Sequence, residues 1–137
     1  MESLAEQWIA TVVLGSPVAT AMGVELVEAE VDAVTLRLPQ ADHLTTLPGV
    51  THGGTVATLI DIAGAASSAT GVKDDEGATG GATTHLSVTY LAPATTELTA
   101  VAEVVHRTRS GSETTVRVLD DAGGLVALGQ VTSRVFH

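Results

Sequence analysis

Between Gly53 and Thr70 the only ionisable side chain is Asp61, and every neighbour in that stretch is apolar or small. A carboxylate in such surroundings must find hydrogen-bond partners or be held for chemistry. Stepping by three and four residues along a helix from Asp61 meets Gly54, Ala57, Thr58, Gly64, Ala65 and Ser68. That stripe carries no bulky side chain and reads as a shallow trough with one charge in it. It can admit a substrate or a second copy of the helix. A structural Asp bonded to backbone or hydroxyl groups explains the stripe equally well.

Just upstream stands His52-Gly53-Gly54. Paired glycines cost about 1 kcal/mol each inside a helix, so at a helix start they suggest a backbone that must approach something closely. The first amides of a helix lack internal acceptors and lie at the positive end of its dipole, where a developing oxyanion is a natural occupant. A tight turn into a helix accounts for the motif as well. His52 is assigned to orienting this loop rather than to direct proton transfer. Gly53 and Asp61 are eight residues apart, roughly 12 Å along a helix axis. One carbonyl group cannot touch both within one helix. If both act on one bond, they come from two chains, and a twofold dimer with two composite sites follows.

The long helix that carries these residues is expected over about Gly53 to Ala69. A shorter helix is predicted from Ser3 to Val13, ended near Gly15 and Pro17. In VDAVTLRLP, Val34, Leu36 and Leu38 alternate with Thr35 and Arg37, the pattern of a half-buried strand, and VELVEAE pairs with it. PQADHLTTLPGVT reads as a loop. After Gly80 the chain looks all-β: LSVTYLAP, LTAVAEVVHRTR, TTVRVLD and LVALGQVTSRVF are separated by turn residues. The expectation is an α+β domain over residues 1–137, one antiparallel sheet of about six strands burying one long helix.

The 137 residues suit one domain, and 45% hydrophobic content suits a core in which Trp, Tyr and Phe occur only once each. Small aliphatic side chains bury little area apiece, which favours self-association. With 16 acidic and 6 basic residues the net charge is −10. That balance opposes nucleic-acid binding and adsorption to anionic membranes. Absence of Cys removes disulfides and thiolate chemistry. The acidic N-terminus does not resemble a signal peptide, and a cytoplasmic location is the expectation.

Taken jointly, Gly49, His52-Gly53-Gly54, Asp61, Thr83 ahead of TYLAPA, and DDAGGLVA resemble the hotdog thioesterase superfamily, in its PaaI-like acyl-CoA thioesterase branch. The resemblance covers nearly the whole chain. It implies a sheet wrapped round a central helix, dimers with a continuous sheet and frequently tetramers. It implies hydrolysis of acyl-CoA thioesters without metal or prosthetic group. Asp61 would activate water or attack the carbonyl, the Gly53 amide would polarise the thioester oxygen, and Thr83 would hold the water or the carboxylate. Many members carry Asn six residues before the His; here it is Thr46, whose hydroxyl reaches less far than an amide. Members often carry Gly where this chain has Thr108.

CoA would bring phosphates to an acidic protein. Arg109-Ser110-Gly111 at a strand end could hold one through a guanidinium fork and backbone amides, with Lys73 as a lesser candidate; an ordinary solvated hairpin is the competing reading. The five His show no metal-site spacing, and Ser67 and Ser68 have no base at a readable spacing. Trp8 reads as a packing residue of the first helix rather than a substrate cap. A non-catalytic acyl-CoA binding module on the same fold is the alternative function, and a hydratase lacks its Asp-His pair here.

Overall fold

The computed structural model describes Met1 and residues 3–137; Glu2 lies outside the described residues. Helix α1 (Ser3–Gln7) runs directly into a π-helical segment, Trp8–Val13, closed by a Leu14 amide that donates to the Ile9 carbonyl at 2.8 Å. The first helical stretch ends ahead of Gly15, as expected, but Pro17 also opens a second helix, α2 (Pro17–Met22), whose N-cap Ser16 accepts from the Ala19 amide at 3.2 Å. Ser followed by Pro is a start signal, because Pro at the first helical position loses no internal hydrogen bond.

Strands β1 (Glu25–Glu30) and β2 (Ala33–Leu38) form a hairpin. The segment expected to be a loop contains a small two-stranded ribbon, β3 (Thr45–Leu47) and β4 (Val50–Thr51). Its turn includes Gly49 at φ 77°, a left-handed conformation that accounts for glycine there. Helix α3 spans Gly53–Ala69, the range read from the sequence. Four strands follow: β5 (Gly80–Tyr90), β6 (Leu98–Thr108), β7 (Gly111–Leu119) and β8 (Leu125–Phe136). The six long strands form one antiparallel sheet in the order β1-β2-β6-β7-β8-β5.

The sheet's inner face and α3 make the core. Val34, Leu36 and Leu38 of β2 are buried as the alternation requires, with Leu98, Ala100 and Ala102 of β6 and Val116 and Val118 of β7. They meet Val56, Leu59, Ile60, Ala63 and Ala66 of α3. Helix and sheet approach closely at two glycines. A Cβ on Gly64 would lie 2.6 Å from Val131 of β8, and one on Gly129 of β8 would lie 2.3 Å from Ile60. This interlock sets the height of α3 above β8. The far end of α3 is held by Arg107, which donates to the carbonyls of Ser67 and Ser68 (3.1 and 3.0 Å) and pairs with Asp32 at 2.7 Å. A cation there also offsets the negative end of the helix dipole. Among the described residues no helix is long and apolar enough to cross a membrane.

The Gly129 contact makes a packing prediction. Gly129→Ala should cost about 1–3 kcal/mol through overpacking. In an Ile60→Ala background its cost should shrink by about 1 kcal/mol or more. Denaturant midpoints of the two single variants and the double variant, at one protein concentration, check this.

Candidate active site

Asp61 is half-buried on α3 and accepts a 2.6 Å hydrogen bond at Oδ1 from the Thr83 hydroxyl of β5. Two local features aim Thr83. It pairs with Ser133 of β8, the strand against which Gly64 and Gly129 seat the helix, and β5 carries a register shift between Thr83 and His85. A bulge of this kind bends the strand and redirects the side chains beside it. Asp61 and Thr83 line one cavity of about 280 Å³, together with Ile62, Ala65 and Ala69 of the helix and Trp8 of the π-helical segment. Ser133, also on that cavity, is buried, and its hydroxyl has no partner among the described residues.

At the other end of α3, His52 is the N-cap. Its Nδ1 accepts from the Gly54 amide at 2.8 Å, while its carbonyl accepts from Thr55 and Val56. Gly54 is thereby occupied at its amide, and its carbonyl accepts from Thr58. The Gly53 amide is left without an acceptor among the described residues. Tyr90 donates from its hydroxyl to the Gly53 carbonyl at 2.6 Å, with its ring 3.5 Å from where a Gly53 Cβ would stand. Gly53, Thr46 and Tyr90 line a second cavity, of about 360 Å³.

The candidate residues of one chain thus divide. Asp61 and Thr83 face the first cavity; Gly53 and Thr46 face the second, about two turns of α3 away. A third cavity, of about 410 Å³, adjoins the first at Val72 and Val135 and is lined by Lys73 and Arg109. Ser110 lies in the β6–β7 turn beyond it, and Gly111 is the first residue of β7. The Ser110 carbonyl accepts from Val135, and a Gly111 Cβ would collide with the Ser133 carbonyl at 2.5 Å. Arg107 reaches the third cavity but is engaged by α3 and Asp32. Among the described residues no group of three or more His, Asp or Glu could hold a metal ion. Tyr90 and Ser133 were not singled out in the sequence. TYLAPA marked the first only as a motif, and nothing local marks the second. Trp8, read as packing, stands on the cavity wall.

A six-stranded antiparallel sheet curved about one long helix, with the lone helix carboxylate on a cavity, is the hotdog fold. The chain belongs to the Thioesterase superfamily, whose family model matches residues 48–127, and is by that membership a thioester hydrolase. Solved structures agree. The E. coli PaaI protein from the phenylacetic acid degradation operon shares 18% identity over 97% of this chain and 94% of its own, with a TM-score of 0.82. A Haemophilus influenzae thioesterase shares 18% identity over 91% and 86%, at a TM-score of 0.82. A structure described as from the thioesterase superfamily is 30% identical over 98% of this chain and 100% of its own, at 0.78. The chain matches none of the curated proteins.

The wall of the third cavity carries a pH signature. Glu76 is bonded to His137 at 2.7 Å and accepts from the Lys73 amide at 2.7 Å. These contacts, the His137 bond foremost, hold its carboxyl below the usual range. Because the folded value is depressed, the stabilisation is complete above the ordinary carboxylate range and is lost as pH falls through the folded value. The stability difference between wild type and Glu76→Gln should shrink as pH falls below about 4. Denaturant titrations across that range measure it.

Proposed function

We propose that this protein hydrolyses acyl-CoA thioesters to free acid and CoA, at sites each built from two copies of the chain. The observation that carries the reading is the division within one protomer. The oriented carboxylate Asp61 and the unengaged Gly53 amide occupy different cavities on one rigid helix. Two α3 helices side by side and antiparallel would bring Gly53 of each to Asp61 of the other. The free edge of β5, exposed along most of its length, supports such an assembly by offering unpaired backbone groups to a second β5. A dimer, or a dimer of dimers, in the cytoplasm and formed by a single domain over 1–137, is the assembly this reading carries.

In the proposed reaction the thioester oxygen accepts from the Gly53 amide of the second copy. Asp61, with Oδ1 occupied by Thr83, uses Oδ2 to take a proton from water. The water oxygen bonds to the carbonyl carbon, negative charge builds on the oxygen facing Gly53, and the C–S bond then breaks. The proton on Asp61 passes to the departing thiolate, leaving acid, CoA and the carboxylate as it began. General-base assistance contributes about 10²–10⁴-fold, and one oxyanion donor about 10²–10³-fold. His52 positions the loop by capping the helix, and Thr46 stands beside Gly53 where a hydroxyl can reach the bound thioester. Arg109 and Lys73, with the neighbouring Ser110 and Gly111, are the groups nearest to hold CoA phosphates. Asp at this helix position is the feature by which the sequence resembles the PaaI-like branch.

Asp61→Asn should lower CoA release at least 100-fold with molar mass unchanged. Thr83→Val, which frees Oδ1 without removing the base, should lower it about 10-fold. Thiol-reagent assays and light scattering measure both. Turnover by Asp61→Asn within a few-fold of wild type would remove Asp61 from the mechanism.

A further inference from the structure

Among the described residues, four buried side-chain hydroxyls have no hydrogen-bond partner: Ser67, Ser112, Thr114 and Ser133. A buried hydroxyl left unpaired is destabilising, so each calls for a reason. Only Ser133, which is 6% exposed, also lines the cavity that holds Asp61 and Thr83. The sheet register puts it beside the one side chain bonded to that carboxylate. Ser133 of β8 is paired directly with Thr83 of β5. Directly paired residues stand on one face of a sheet with Cβ atoms about 4.5–5.5 Å apart, close enough for a Thr and a Ser to share a hydrogen bond.

The direction of each bond around Asp61 follows from the groups themselves. A carboxylate only accepts. Thr83 commits its single hydroxyl proton to Oδ1, so its oxygen is open to further bonds only as an acceptor. A Ser133 hydroxyl turned toward Thr83 therefore donates to it, and the Ser133 oxygen is left to accept. An attacking water has two protons. One goes to Oδ2 of Asp61 in the reaction above; the other needs an acceptor, and Ser133 Oγ is a group so disposed. Water, Ser133, Thr83 and Asp61 then close a ring in which each hydroxyl donates to the next and the carboxylate accepts at both ends. Holding the second O–H of the water also fixes the lone pair that must meet the carbonyl carbon.

Resting on the acyl-CoA reading above, we propose that Ser133 is a further residue of the Asp61 half-site, which holds the attacking water by its second proton and is tied to the base through Thr83. In the rotamer seen, its oxygen is shut away from solvent and bonds to nothing. Rotation about χ1, among three staggered positions, brings the hydroxyl onto the wall that Ser133 already forms and gives it the partners it lacks. No proton travels round the ring. The first proton of the water passes to Oδ2 directly, and Ser133 and Thr83 keep their own throughout.

Straight-chain acyl-CoAs from acetyl to palmitoyl, together with benzoyl-CoA, are assayed with wild type for CoA release, and the best of them is carried into the variants. Ser133→Ala should lower kcat about 10-fold, the upper worth of one neutral hydrogen bond, with KM unchanged. Ser133→Cys fills the same place with a weak donor and acceptor, should lose a similar factor, and serves if the alanine variant does not fold. Because Ser133 and Thr83 belong to one ring, adding Ser133→Ala to Thr83→Val should cost about 2-fold or less beyond Thr83→Val alone. Ser112→Ala and Thr114→Val remove hydroxyls that are equally buried and unpartnered but off the cavity, and should leave kcat unchanged. A wild-type kcat in Ser133→Ala overturns the proposal. So do losses that multiply in the double variant, or an equal loss in Ser112→Ala, the results expected if Ser133 serves only packing. Absence of CoA release by wild type from every thioester offered would instead sink the acyl-CoA reading, and this proposal with it.

Discussion

The 2.6 Å hydrogen bond between Thr83 and Asp61 ties the central helix to the edge strand, and the geometry of the site depends on it. It requires α3 and β5 to keep a fixed separation although only an irregular connection joins them in the chain. That separation is transmitted through β8, against which Gly64 and Gly129 let the helix settle more closely than any side chain would allow. β8 in turn pairs with β5 in the register that sets Thr83 opposite Ser133. Two hydrogen atoms in place of side chains thus locate a carboxylate. The same bond leaves one carboxylate oxygen for other work.

A rigid helix also separates what it carries. Gly53 and Asp61 cannot converge in one protomer because about 12 Å of hydrogen-bonded backbone lies between them. Tyr90 and His52 fix the Gly53 end as firmly as Thr83 fixes the other. Two half-sites, each preorganised, suit chemistry in which neither donor nor base need reorganise as charge develops. In the proposed assembly, activity and association become one property. A chain whose aliphatic core buries little area per residue would then gain stability from the contact that also completes its sites.

Much of this was legible in the residues. The long helix, its isolated Asp61 and the His-Gly-Gly start are encoded by local composition, and the strand alternation in β2 survives in the burial of Val34, Leu36 and Leu38. What escaped was what depends on distant partners or on short elements. Ser16-Pro17 both ends one helix and begins another, and only the second role is visible once Ala19 is seen donating to Ser16. The β3–β4 ribbon is too short for periodicity to show. The glycine-rich start of β5 has weak strand propensity and is held by β8 instead. Arg107 carries no local sign of its structural role, because its guanidinium is engaged by α3 carbonyls and Asp32, contacts that arise only when β6 passes beneath the helix end. Trp8 lacked any local sign of facing a cavity, because the rest of that cavity is lined by α3, β5 and β8, which are distant in the chain.

The most direct measurement of the shared site is complementation between two inactive variants. Asp61→Asn removes the base. Gly53→Pro removes only the amide donor, at a first helical position that tolerates proline and after a His52 already extended at ψ 137°. Each alone should be at least 100-fold impaired. When the two chains are co-expressed and assembled together, half of random dimers would hold one intact site, restoring about a quarter of wild-type CoA release. A mixture no more active than its parents would contradict a site drawn from two chains.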